Sequence, residues 1–353
     1  MSGKLLVVGS GLEAQLALCR LAASNWSGEL YHLPGKCLPG ERYDVAPQKL
    51  LPGVAEQAPG RLRLADVWGK TLVSLKLPSF SLFDARRPPK AGGEVSPLPE
   101  GVQVKRTSPS ESGVLVTLSD GTELACSGVL FADGSDSQGK LFWTHPSVVE
   151  SDKQTVRCWL FEADNLLEVK DWEFRWAAGK SVELFPASEG KLLVKLRFKS
   201  PFGGDLSVAE LRELYSEFGS DMTALFENLE TEKLHAHEER SVENPVFVPA
   251  AGCLALGRAA WNPDMFLCWG WLARFVDAQL EVILEQLLKG SLSCQSFEAQ
   301  SKELLAPMAV AEQFVRRQLH LDNPFLRAFR GVLMALLPNS VMAGGLRSRL
   351  LLQ

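Results

Sequence analysis

Three stretches of this chain place glycine and small residues beside polar groups in patterns that could do chemistry. Gly9-Ser10-Gly11-Leu12-Glu13-Ala14 follows the apolar run Leu5 to Val8 and precedes Leu16, Ala17, Leu18, Leu21 and Ala22, a small, apolar set at helical spacing. In a strand-to-helix turn of this kind, glycines let backbone N–H groups approach a phosphate, and the amino end of the helix adds partial positive charge. With Ala14 in the third place the stretch matches a dinucleotide fingerprint; the competing reading is a plain glycine turn in another α/β protein. Ala132-Asp133-Gly134-Ser135-Asp136-Ser137 closes a second short apolar run, Gly128 to Phe131, and Gly257-Arg258-Ala259-Ala260 closes a third, Cys253 to Leu256.

An acidic residue is expected roughly 20 positions after such a fingerprint, at the end of the next strand, to hold a ribose. That place falls at His32-Leu33, and the nearest acid, Glu29, stands at the strand start. His32 could hydrogen-bond a ribose hydroxyl; the alternative is an ordinary surface histidine.

Other chemistries find less support. Ser10 and Ser137 have no histidine with a readable pairing, so no acyl-transfer triad emerges. His235-x-His237 lies among the charges of Lys233 to Arg240 and reads as a solvated face; no metal site is expected. The seven cysteines are widely spaced with no C-x-x-C pair, which predicts free thiols in a reducing, cytoplasmic setting. A net charge of −5 with scattered Lys and Arg argues against a nucleic-acid partner, and no run of 18 apolar residues predicts a membrane span. Hydrophobic residues at 46% and charged residues at 22% fit a folded globular chain.

The elements that must position these turns can be read in part. Leu5 to Val8 reads as a strand buried on both faces, and Leu30, Tyr31 and Leu33 as the next, closing at Pro34-Gly35. Residues 36–101 are rich in proline and yield no long helix; 84–101 reads as an exposed loop. Val102 to Val104, Gly113 to Leu118 and Thr122 to Ala125 read as a meander turning at Asp120-Gly121. Residues 155–200 alternate like strands and are dense in aromatics. Ser207-Val-Ala-Glu210 is a capping box opening a helix, with a second helix over about 221–230. A long helix spans about 270–289, ending at Lys289-Gly290, and the remainder reads as helical.

Taken together, the motifs resemble the FAD-dependent aromatic hydroxylases, the class A flavoprotein monooxygenases that include the ubiquinone-pathway hydroxylases. Gly9-x-Gly11-x-x-Ala14 matches the first family motif and Ala132-Asp133-Gly134-x-x-Ser137 the second. Gly257-Arg258-Ala259-Ala260, followed by Pro263, Gly270 and Asp277-Ala278, matches the third. Phe185-Pro186 before Glu189-Gly190-Lys191 and the segment Leu326 to Pro338 resemble a substrate-domain hairpin and a C-terminal helix of the family. The resemblance implies an α/β fold with a Rossmann-like FAD-binding domain, an inserted mixed β-sheet substrate domain and a helical C-terminal tail. Its boundaries would be 1–150 with 245–290, then 151–244, then 291–353.

The same resemblance implies FAD as cofactor, NAD(P)H as reductant and a monooxygenase reaction on a small apolar or aromatic substrate. Gly9, Gly11, Ala14, His32, Asp133, Gly134, Arg258, Pro263 and Gly270 would be the cofactor-binding residues, with no catalytic acid or base assigned. Two departures leave an alternative open. Arg258 stands where the family has an aspartate that contacts the ribityl chain, and bulky residues from Met265 to Trp271 stand where the family has small ones. Either Arg258 forks onto a diphosphate, or it fills a vacated place in a flavin-free relative that acts as a binding or protein-interaction module. The tail from Pro324 to Leu351, apolar with Arg327, Arg330, Arg347 and Arg349, reads as a packed helix, with peripheral contact to an anionic membrane as the second reading.

Overall fold

The computed structural model describes residues 3–35, 37, 43–50, 60–66, 68–76, 80–86, 93–111, 113–142, 155–177, 179–187, 190–199, 206–227, 229–240, 245–261 and 271–319. In chain order the elements are β1 (Lys4–Val8), α1 (Leu12–Ala22), β2 (Glu29–Leu33), β3 (Tyr43–Pro47), β4 (Arg61–Ala65), β5 (Thr71–Lys76) and β6 (Phe80–Asp84). Next come β7 (Ser96–Pro97), β8 (Val104–Ser110), β9 (Gly113–Leu118), β10 (Glu123–Cys126) and β11 (Gly128–Phe131). The second half adds β12 (Thr155–Asp164), β13 (Trp172–Ala177), β14 (Lys180–Pro186), β15 (Lys191–Lys199), α2 (Val208–Leu214), α3 (Ser220–Leu225), β16 (His235–Arg240), β17 (Cys253–Ala255), α4 (Trp271–Leu288) and α5 (Cys294–Leu319).

An all-parallel sheet in the order β17-β11-β1-β2-β7 carries all three glycine-bearing turns. Past Lys4 its central strands β1 and β11 are apolar because both faces are covered: Leu5, Leu6, Val7, Val8, Val129, Leu130 and Phe131 are fully buried. α1 packs against α4, whose buried stripe of Leu272, Phe275, Val276, Gln279, Leu280 and Ile283 follows the helical period. Arg20 of α1 pairs with Asp277 of α4 at 2.8 Å across the joint.

The second sheet is mixed, in the order β16-β12-β15-β14-β13-β4-β5, with β4 parallel to β13 and every other pairing antiparallel. Trp159, Phe161, Val182, Leu184, Val194 and Leu196 pack under Leu211, Tyr215, Phe218 and Met222 of the segment that follows. Ser207 caps α2 as the sequence predicts: its hydroxyl accepts from the Glu210 N–H, and the Glu210 carboxylate accepts from the Ser207 N–H.

Differences from the sequence reading concentrate in residues 36–101. That stretch holds five strands: β4 and β5 extend the mixed sheet, β3 pairs with β6, and β7 joins the edge of the parallel sheet. The loop expected over 84–101 is therefore pinned at Ser96–Pro97, and the Leu98 N–H donates to the His32 carbonyl at 2.8 Å. β8 runs on to Ser110, and the helix expected over 221–230 stops at Leu225. Residues 320–353, including the stripe from Pro324 to Leu351, lie outside the described residues. Among the described residues no helix is long and apolar enough to cross a membrane.

Candidate functional site

The first turn is built by backbone packing. Gly9 sits at φ +132°, its N–H donating to the Leu33 carbonyl at 3.0 Å. A methyl carbon on it would lie 2.7 Å from the Ala132 carbonyl carbon and 2.9 Å from the Asp133 Cα. Only glycine lets the ends of β1, β2 and β11 converge this tightly. His32 closes the joint from the other side, its Nε2–H donating to the Gly9 carbonyl at 2.7 Å. Gly11 then caps α1 with φ −75°, a dihedral open to any residue, and no side-chain cap.

Beyond Ser10 lies a cavity of about 640 Å³ at the carboxyl ends of these strands, bounded by Pro34, Gly35, Val102, Asp133 and Gln138 among others. Ligands of open α/β sheets collect at such strand ends, and the volume is that of a small-molecule pocket. Asp133 is fixed there: one carboxylate oxygen accepts from the Ser137 hydroxyl, the other from the Gln138 N–H at 2.7 Å. Gly134 takes φ +79° to turn the chain, and the Gln138 side chain accepts from the Val104 N–H at 2.9 Å, tying the β8–β10 meander to the same wall.

On the other side of Gly11 stands a buried charge cluster. The Arg258 guanidinium donates to Glu13 through Nε at 2.7 Å and a terminal nitrogen at 3.0 Å, and that terminal nitrogen lies 3.2 Å from an Asp44 carboxylate oxygen. All three side chains are withdrawn from solvent, at 3%, 0% and 4% exposure respectively. The 3-10 turn Gly257–Ala259 delivers Arg258, and Gln279 of α4 holds that turn by accepting from the Gly257 N–H at 3.0 Å. One guanidinium thus faces two carboxylates at the amino end of α1.

Of the residues singled out from the sequence, Gly9, Gly11, His32, Asp133 and Gly134 meet at this strand edge. Ala14 lies fully buried in the core beneath the turn. Arg258 is beside them, with its guanidinium on Glu13 and Asp44. Pro263 and Gly270 lie outside the described residues. Sequence reasoning missed Glu13 and Asp44. Glu13 was legible in principle, because it shares an i, i+3, i+4 stripe with the buried Leu16 and Ala17, and a charge on such a stripe demands a partner.

The remaining polar groups near the sheet are quiet. Burial pushes the Cys126 and Cys253 thiols up to about 11, against nucleophilic use. Among the described residues no cluster of His, Cys, Asp and Glu is arranged to hold a metal.

No protein-family model matches the chain, and no curated protein matches it by sequence. Solved structures do. HpxO of Klebsiella pneumoniae complexed with FAD and uric acid superposes with a TM-score of 0.73 at 16% identity, covering 99% of this chain and 97% of that one. A salicylate hydroxylase substrate complex gives 0.65 at 12% identity over 99% and 98%, and the tetracycline destructase Tet(51) gives 0.63 at 15% over 97% and 98%. At these identities the likeness establishes the fold alone: the chain has the α/β architecture of these proteins.

Proposed function

We propose that the chain is an FAD-dependent oxidoreductase, a monooxygenase that takes electrons from NAD(P)H and acts on a small apolar or aromatic molecule. The observation that carries this reading is the cavity between the Gly9–Gly11 turn and the Asp133–Gln138 loop, which lies at the strand ends of a fold seen with FAD in HpxO. The nucleotide half of the cofactor fits the residues present. Gly11 leaves the first turn of α1 without a side-chain cap, the cavity opens at Ser10, and Asp133 presents a carboxylate at its wall. Ser10, Gly11, Asp133 and Gly134 would hold that half; Gly9 and His32 would position the turn. The flavin, when bound, supplies the redox chemistry, and the protein supplies orientation and a dry site.

A second reading, a flavin-free relative that uses the pocket for binding alone, is favoured by one observation: Arg258 is committed to Glu13 and Asp44. One measurement separates the two. Purified protein should show the visible absorption of oxidised flavin and release FAD on denaturation, and NAD(P)H should bleach it without oxygen. Colourless protein that takes up no FAD on reconstitution would replace the first reading with the second.

A further inference from the structure

The acid that a dinucleotide fold carries at the end of its second strand is missing from the end of β2. His32, at the expected place, turns its Nε2 back to the Gly9 carbonyl at 2.7 Å, inside the joint. Glu29 sits at the opposite end of the strand, where its carboxylate pairs with Lys4 at 3.1 Å and accepts from the Tyr31 hydroxyl at 2.8 Å. The parallel sheet, however, has a further strand beside this one. β7 lies along β2, with Ser96 level with Tyr31 and Pro97 level with His32, and the Leu98 N–H extends the ladder to the His32 carbonyl. Two residues on, in a turn that Gly101 completes at φ +80°, stands Glu100. Glu100 lines the cavity together with Ser10, Pro34 and Gly35, and among the described residues its carboxylate has no hydrogen-bond or ion-pair partner. The other two acids of the cavity wall are placed differently. Asp133 is committed to the Ser137 hydroxyl and the Gln138 N–H, and Asp136 belongs to the loop that follows β11.

From this juxtaposition we infer that Glu100 is the ribose-reading residue of the site: its carboxylate accepts from the 2′-hydroxyl of the nucleotide, a role that β7 takes over from β2. The inference rests on the nucleotide reading above and deepens it by naming the group that recognises the sugar. In a dinucleotide fold the adenosine ribose lies past the end of the second strand. Pro34 and Gly35, the residues of that strand end on the cavity wall, have no polar side chain to offer it. An ionised carboxylate only accepts hydrogen bonds, and a hydroxyl donating to it makes a charge-assisted one. The same negative charge turns away a ribose that carries a 2′-phosphate, so the site selects nucleotides whose 2′-hydroxyl is free.

Competition binding on the full chain, wild type and Glu100→Ala, tests this. FAD is titrated through the quenching of its fluorescence, and ADP and 2′-deoxy-ADP are compared as competitors. A hydroxyl bonded to a carboxylate at a solvent-exposed rim corresponds to roughly tenfold in affinity. Wild-type protein should therefore hold ADP about tenfold tighter than 2′-deoxy-ADP, and Glu100→Ala should bring the two within about threefold of each other. A merely structural effect of the turn would weaken both competitors alike and leave their ratio in place. That result, or a wild-type ratio near one, would overturn the role of Glu100 while leaving the nucleotide site standing. FAD uptake that neither competitor displaces would overturn the seat of the ribose in this cavity, and the inference with it. No uptake of FAD by the wild type would overturn the nucleotide reading itself. Glu100 is exposed on a turn, where substitution is usually mild; should Glu100→Ala fold poorly, Glu100→Gln keeps the size, removes the charge and should also lower the ratio.

Discussion

Gly9 and Gly11 belong to one motif, yet the structure gives them different work, and replacing each by alanine separates the two. At Gly9 a methyl group meets main chain on the neighbouring strand, with the Ala132 carbonyl carbon at 2.7 Å and the Asp133 Cα at 2.9 Å. Neither can rotate away, and relief requires β1 and β11 to part. Overpacking of this kind costs about 1–3 kcal/mol, and a side chain forced to φ +132° costs about 1–3 kcal/mol more. Gly9→Ala should therefore lose about 2–6 kcal/mol, a large share of the stability of an ordinary domain. At Gly11 the backbone sits at φ −75°, open to any residue, and the methyl meets only the Glu13 carboxylate at 3.3 Å, which must give by a few tenths of an ångström. Gly11→Ala should stay within about 1 kcal/mol of wild type, the usual scale for a change at a helix cap. Urea unfolding without added ligand, followed by circular dichroism, measures both. Gly9→Ala within about 0.5 kcal/mol of wild type would refute the claim that the turn is dictated by strand convergence.

Three further outcomes are expected. Arg258→Met strands two buried carboxylates without their cation and should cost about 3–5 kcal/mol in denaturant titration; adding Glu13→Gln and Asp44→Asn should restore most of the loss, and a triple variant no more stable than Arg258→Met would show that the cluster is not coupled. Ser207→Ala removes the hydroxyl of the α2 capping box and should cost about 1 kcal/mol by thermal unfolding, whereas an unchanged midpoint would deny the cap any weight. Cys126 and Cys253, with thiols raised to about 11 by burial, carry almost no thiolate at pH 8; peptide mapping after iodoacetamide should find both unmodified in the native protein and modified only after unfolding.

What the sequence discloses is what its local pattern can encode. The Leu5–Val8 and Gly128–Phe131 strands announce themselves because strands covered on both faces are apolar at every position, and glycine marks where each must turn. The Ser207 cap and the long α4 were equally legible, since a cap and a 3.6-residue stripe are contained within a few residues. Residues 61–76 were not. Leu62 and Leu64 alternate with Arg61 and Arg63, yet nothing nearby names their partner, which is Trp172 to Arg175 on a strand encoded far downstream. The charge cluster was hidden for the same reason: Glu13 and Arg258 stand 245 positions apart, and neither carries a signal for the other beyond an ion in an apolar setting.

The parallel pairing of β4 with β13 also constrains the order of assembly. During synthesis the β4–β5 hairpin emerges well before β13, and until then one long edge of β4 has unpaired N–H and C=O groups exposed to neighbouring chains. The parallel sheet waits longer still, since β17 closes it only after the entire mixed sheet has been made. A fold that pairs β11 with β17 across more than a hundred residues, and packs α1 against α4, pays loop-closure entropy early and is rewarded late. Refolding from denaturant should accordingly be slow and concentration-sensitive, and the hairpin at 61–76 is where chains in transit would first adhere to one another.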